Sequence, residues 1–196
     1  MRNTFPSLNI ALPAWVAHFI DSYDFTNRSL LEERMRFAIG LARENIRQGT
    51  GGPFGAAIFD GATHELIAPG INIVLLSQCS VLHAEIVAIM LAQKIAGSFD
   101  LGQSRLPPLE LVTSAEPCAM CLGAIPWSGI KRLVCGARDE DARAIGFDEG
   151  AKVTDWIDAL KLRGIETVTD VCRYEARAVF QHYSASGGKI YNGRGS

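Results

Sequence analysis

The sequence predicts an α/β protein built on a mixed sheet with helices on both faces. Three observations carry this. Two short apolar runs flank an Asp60-Gly61 turn signal, which reads as an opening hairpin. Beyond it, helical and strand patterns alternate to the end of the chain. At 196 residues and 48% hydrophobic, the chain can bury one full core and leave some chain over.

Taken in order, residues 1–28 read as an extension packed on the main body, with a short helix over Pro13 to Tyr23 that sets Trp15, Phe19 and Ile20 on one side. Ser29-Leu30-Leu31-Glu32 has the form of a capping box, and Leu31, Met35, Ala38, Ile39, Ala42 and Ile46 follow at helical spacing. An amphipathic helix is therefore expected over about 29–48, ended by Gly49, Gly51 and Gly52. Phe54 to Asp60 is a strand; Glu65 to Leu75, interrupted by Pro69-Gly70, is its partner. Leu76 to Leu82 connects to a helix that starts near His83 and stops at Gly97. Leu109 to Thr113 is a buried strand. The next helix carries Cys118 and Cys121 in its first turn, with Pro117 at its first position, and ends near Trp127 and Gly129. Strands are expected at Lys131 to Gly136 and Ile165 to Val171, helices at Val153 to Leu162 and Glu175 to Tyr183, and a polar loop over Asp139 to Gly150. The main body thus spans 29–183, and 184–196 is a Gly-rich polar tail.

Composition excludes several classes. The formal net charge of -2 lacks the basic excess of a nucleic-acid binder. No apolar run is long enough to span a bilayer. The apolar stretch from Ile10 to Ile20 is broken by Pro13 and His18 and lacks the features of a signal peptide. Five cysteines, an odd number without a disulfide framework, point to a reducing cytoplasm with one metal pair and three spare thiols.

The chemistry concentrates in His83-Ala84-Glu85 and Pro117-Cys118-Ala119-Met120-Cys121. A structural zinc takes four protein ligands, whereas a catalytic one keeps its fourth position for water. Here one imidazole and one Cys-x-x-Cys give three ligands, His83, Cys118 and Cys121, with no second pair. One zinc per chain is expected. Glu85 is then the acid that takes a proton from water and passes it on. This requires the helix to begin at His83, because residues two apart inside a regular helix point to different sides. Taken alone, the Cys-x-x-Cys also reads as a thioredoxin-like redox pair.

His-x-Glu followed by Pro-Cys-x-x-Cys is the signature of zinc-dependent nucleobase deaminases. With Glu116 before Pro117, these stretches resemble the cytidine deaminase-like superfamily. Gly51-Gly52-Pro53-Phe54-Gly55-Ala56, Cys121-Leu122-Gly123-Ala124-Ile125 leading into Trp127, and Gly146-Phe147-Asp148-Glu149 make the chain similar to its bacterial guanine deaminases. The resemblance covers about 29–183 and implies a three-layer α/β/α sandwich around a five-stranded mixed sheet, a homodimer, and the conversion of guanine to xanthine and ammonia. By position it implies zinc on His83, Cys118 and Cys121, a proton shuttle at Glu85, a substrate-binding Asn72 and a second acid at Glu149. Phe54 and Trp127 are candidates to stack on the base, with core or dimer contact as the alternative for each; Ala84 joins the substrate-binding set. The chain departs from the family at Gln78-Cys79-Ser80-Val81-Leu82, where Asp-Pro-Thr-Ala is usual, at Ile73, a common second Asn, and at Pro126, commonly aromatic. Rival readings are a tRNA adenosine deaminase, a cytosine or cytidine-type deaminase, and a zinc-stabilised binding module. Related amino-triazines are expected as secondary substrates, and the tail is expected to fold over the site as a lid.

Overall fold

The computed structural model describes residues 9–193. Its elements, in order, are α1 (Trp15–Ser22), α2 (Leu31–Arg47), β1 (Gly55–Asp60), β2 (Leu66–Ile71), α3 (Val74–Ser77), α4 (Ala84–Ala96), β3 (Leu109–Ala115), α5 (Ala119–Ser128), β4 (Arg132–Ala137), α6 (Asp139–Arg143), α7 (Trp156–Lys161), β5 (Glu166–Val168) and α8 (Arg173–Ala185). The five strands form one sheet in the order β2-β1-β3-β4-β5. β1 is antiparallel to β2 and β3, while β3, β4 and β5 run parallel. The predicted α/β/α sandwich with a five-stranded mixed sheet is what forms.

Strand periodicity produces the two faces. Ala57, Phe59, Val112 and Val134 point to a core shared with α2 and α8, and Ala56, Ile58, Leu111 and Leu133 point to one shared with α4, α5 and α7. Both helix layers sit close. A side chain at Gly55 would meet the Ala38 carbonyl of α2 at 2.3 Å, and one at Gly70 would meet the Ala84 carbonyl of α4 at 2.1 Å. The second contact fixes the start of α4, and with it His83, against β2.

The pairing also collects one set of chain positions. Because β1 runs against its neighbours, Gly55 pairs with Ile71 and Ala56 with Thr113. The start of β1 and the ends of β2, β3 and β4 therefore share one end of the sheet. In α/β sheets that end is where ligands bind.

From residue 9 on, the N-terminal extension packs on the body; residues 1–8 lie outside the described part, as do 194–196 of the tail. Phe19, Tyr23 and Phe25 surround the fully buried Phe37 with ring centroids 5.0–5.6 Å away.

Several local expectations are corrected. The capping box does not form: α2 begins one residue later, with Leu30 at its cap and no side-chain bond there. Arg34 takes the carbonyls of Arg28 and Ser29 instead, while its Nε pairs with Glu110 at 2.8 Å in the buried interior. A buried ion pair left without these extra partners would be costly, so the chain serves it before the cap. Pro69 does not interrupt β2, because β2 is an edge strand and the missing N–H is not needed. Val74 to Ser77, assigned partly to the strand, is helical. The polar loop contains α6, and β5 has three residues rather than seven.

Candidate active site

Two helix starts face each other at the sheet end. His83 is the N-cap of α4, with extended backbone (ψ 160°), and Cys118 is the N-cap of α5 (ψ 170°). Pro117 thus precedes the cap rather than opening the helix as expected. Because α4 starts at His83, its imidazole and the Glu85 carboxyl reach the same cleft. His83 Nδ1 lies 3.5 Å from Cys118 Sγ, and one ligand atom each from His83, Cys118 and Cys121 fall within 4.8 Å of one another. This is the only such ligand group among the described residues. Two soft sulfurs and one imidazole, at the positive ends of two helices, fit a catalytic zinc with its fourth position open.

The cleft is lined by Gly52, Phe54, Asn72, Val74, Leu75, His83, Glu85, Glu116, Cys118, Phe147, Asp148, Glu149, Lys189 and Tyr191. Glu85 and Glu149 are 6% and 5% exposed. Burial pushes the Glu85 carboxyl up to about 7, and the Cys118 sulfur adds to this. Burial likewise pushes Glu149 up to about 8, with the charges of Cys118 and Glu85 next. The Cys118 thiol is drawn down to about 4 by its hydrogen bond to Cys121 and by His83, while the Cys121 thiol is raised. His83 would be lowered by burial, but the Cys118 bond and the carboxyls outweigh that and raise it. A dication on the sulfurs would offset the Cys118 charge that adds to burial in lifting both carboxyls.

Each functional group is held from behind. The Glu149 carbonyl accepts from the Ala119 N–H at 2.9 Å, which ties the second acid to the first turn of α5. Gly150, at φ +72°, makes the turn that follows it. Lys152 donates to Glu116 (3.0 Å) and to the Pro117 carbonyl (3.3 Å), fixing the approach to Cys118. Asn72 Oδ1 accepts from the Val74 N–H at 3.3 Å, which leaves Nδ2 free to donate into the cleft.

Seven of the nine sequence-predicted site residues come together here: His83, Cys118 and Cys121 as a ligand group, with Glu85, Asn72, Phe54 and Glu149 around them. Two do not. Trp127 is 86% exposed on the surface, because it sits nine residues beyond Cys118, about 13 Å along α5. Ala84 is fully buried in the core and is not part of the cleft lining. Sequence reasoning missed Phe147, which packs edge-on to Phe54 at 5.0 Å, and Glu116 as part of the lining. Both lay inside quoted motifs, and their aromatic and acidic character was the available signal.

Comparison with known proteins agrees with this geometry. The chain is 43% identical to the guanine deaminase of Bacillus subtilis (strain 168) over 119 residues, 60% of this chain and 71% of that protein. A solved structure of guanine deaminase from Nitrosomonas europaea superposes with a TM-score of 0.85 at 43% identity, covering 91% of this chain and 97% of the other. A tRNA-specific adenosine deaminase of Haemophilus influenzae is 38% identical over 115 residues, 59% of this chain and 62% of that one. Residues 28–137, which carry every proposed zinc ligand, match the cytidine and deoxycytidylate deaminase zinc-binding region, and the chain belongs to that family.

Proposed function

We infer that this protein is a zinc-dependent hydrolase that converts guanine to xanthine and ammonia. The observation that carries the reading is the meeting, in one cleft, of the His83–Cys118–Cys121 ligand group with two buried carboxyls and the Asn72 amide. When bound, zinc supplies Lewis acidity that lowers the pKa of water in its open position. Glu85 accepts the proton of the water that adds to C2 and returns it to the ring. Glu149 accepts from the N1–H and the C2 amine, and relays a proton to that amine as ammonia leaves. Asn72 Nδ2 donates to a ring acceptor on the opposite edge. Adenine would present a bare N1 lone pair to Glu149, and a mismatch of this kind is rejected by roughly 10⁴–10⁵ in sites built on hydrogen bonds. Phe54, with Phe147 edge-on behind it, offers a ring face for stacking.

The tail closes the cleft of its own chain. Lys189 and Tyr191 line it, and Asn192 bonds to both Gly146 O and Asp148 N at 2.9 Å. The protein pairs as a homodimer through the face bearing Trp127 and Val153, which are 86% and 64% exposed; apolar exposure on that scale marks interaction surfaces. Its compartment is the cytoplasm and its role is purine breakdown; five free thiols suit reducing surroundings. No described helix is long and apolar enough to cross a membrane.

Ammonia release over a panel of guanine, adenine, cytosine, an amino-hydroxy-triazine and a tRNA anticodon loop tests the reading. Guanine is expected to react fastest, and the triazine second. The lining holds three glutamates, Glu85, Glu116 and Glu149, which oppose a phosphate backbone. Conversion of the tRNA loop with guanine inert would overturn the assignment.

A further inference from the structure

Asn45 has no part in the reaction, yet it is fully buried near the end of α2. Its Nδ2 donates to the carbonyls of Asn72 (2.8 Å) and Gly52 (2.9 Å). Its Oδ1 accepts from the Thr50 hydroxyl at 2.6 Å. Thr50 Oγ1 in turn accepts from Trp15 Nε1–H at 3.1 Å. The loop is pressed tightly onto this point, since a side chain at Gly51 would meet Asn72 O at 1.8 Å and Asn45 Nδ2 at 2.8 Å.

The chain of bonds has a direction. An indole N–H can only donate, so the Thr50 oxygen accepts from Trp15, while its own proton goes to Asn45, with Oδ1 at 2.6 Å and the backbone carbonyl at 3.4 Å. Asn45 must present its amine to the Asn72 and Gly52 carbonyls, and so its oxygen to Thr50. A flipped amide would set its oxygen against two carbonyls and leave the Thr50 proton without that acceptor. The two carbonyls, which can only accept, therefore select the amide orientation that holds the Asn72 backbone, and Thr50, bonded to Trp15 of α1, braces it from behind. Asn72 also takes its own N–H to Phe54 O at 3.2 Å, so main-chain contacts on both sides set where its side chain points.

We propose that Asn45 is a positioning residue for Asn72, and that Thr50 and Trp15 brace it from behind, so the N-terminal helix takes part in base selection. The proposal rests on the reading that Asn72 contacts the base. Displacement of a positioned group by about 1 Å can cost ~10²-fold in rate, whereas a merely structural role would move stability alone.

The test measures kcat/KM for guanine, zinc content and thermal midpoint in Trp15→Phe, Thr50→Val and Asn45→Asp, each with Asn72 intact and in an Asn72→Ala background. Phe at position 15 keeps an aromatic ring against Phe19 and removes only the donor. With Asn72 present, Asn45→Asp should lose at least about tenfold and the other two about threefold, with zinc unchanged. In the Asn72→Ala background the same three changes should fall within about twofold. Equal losses in both backgrounds, or no loss with Asn72 present, overturn the relay. If Asn45→Asp does not fold, Trp15→Phe and Thr50→Val decide alone. An Asn72→Ala protein with full kcat/KM instead overturns the base contact itself, and the relay with it.

Discussion

Glu85 and Glu149 share one cleft and the same environment, yet the proposed reaction gives them different work. Glu85 follows His83 by two residues and stands beside the ligand group; Glu149 comes from a loop tied to the opposite helix start. Glu85→Gln keeps volume and hydrogen bonding but cannot take a proton. It should retain zinc, by metal analysis, and lose at least about 10²-fold in kcat. Glu149→Gln keeps an acceptor but adds a donor facing the donor edge of guanine. It should lose at least about tenfold in kcat/KM with zinc content unchanged, and unaltered kinetics would return Glu149 to an ordinary loop acid. The ligands and Glu85 were readable in the sequence because metal chemistry dictates both residue type and spacing. Convergence of His83 and Glu85 was not readable, because it depends on where α4 begins, and that is set by its contact with Gly70. Asn72 and Glu149 were found by resemblance alone; neither has a local pattern that separates it from a turn asparagine or a solvated acid.

Whole elements were legible where periodicity was strong. β1, β3 and β4 appear as apolar runs, and α2 and α4 as amphipathic or buried helical patterns, and all form close to the expected bounds. Their ends were less legible, because caps yield to tertiary partners, as Arg34 shows. The short α6 was missed for a related reason, since its support is remote. The Asp141 carboxylate accepts from Arg138 N–H at 2.9 Å and from two Arg173 nitrogens at 2.8 and 3.0 Å, across more than thirty residues of sequence. The Arg173 bonds, first among several causes, hold this carboxyl below its ordinary value. A lowered folded pKa stabilises above the unfolded value of about 3.9, and the gain is lost as pH falls through the folded value. Asp141→Asn should therefore lower stability at pH 7 by about 1 kcal/mol, and the gap to the parent protein should close below about pH 4, as read by denaturant melts at both pH values.

At the scale of the molecule, one sheet end gathers groups from the start of β1, the ends of β2 and β3, the loop beyond β4 and the tail. Sequence order alone could not show this, because it follows from the antiparallel placement of β1 between β2 and β3. The opposite outcome met Trp127, whose place in a motif suggested the site and whose distance along α5 puts it on the outer face. Trp127→Glu should shift the protein toward monomer in light scattering at micromolar concentration while leaving the fold intact by circular dichroism. A dimer unchanged by that charge would place the subunit contact elsewhere.

The Asn192 side chain spends both ends of its amide on one loop, donating to Gly146 O and accepting from Asp148 N. Glu149 is the next residue along. The loop that carries Glu149 is thus pinned from two sides, by Asn192 at Gly146 and Asp148 and by the Ala119 N–H of α5 at the Glu149 carbonyl, so the order of the tail and the placement of that carboxyl are mechanically linked.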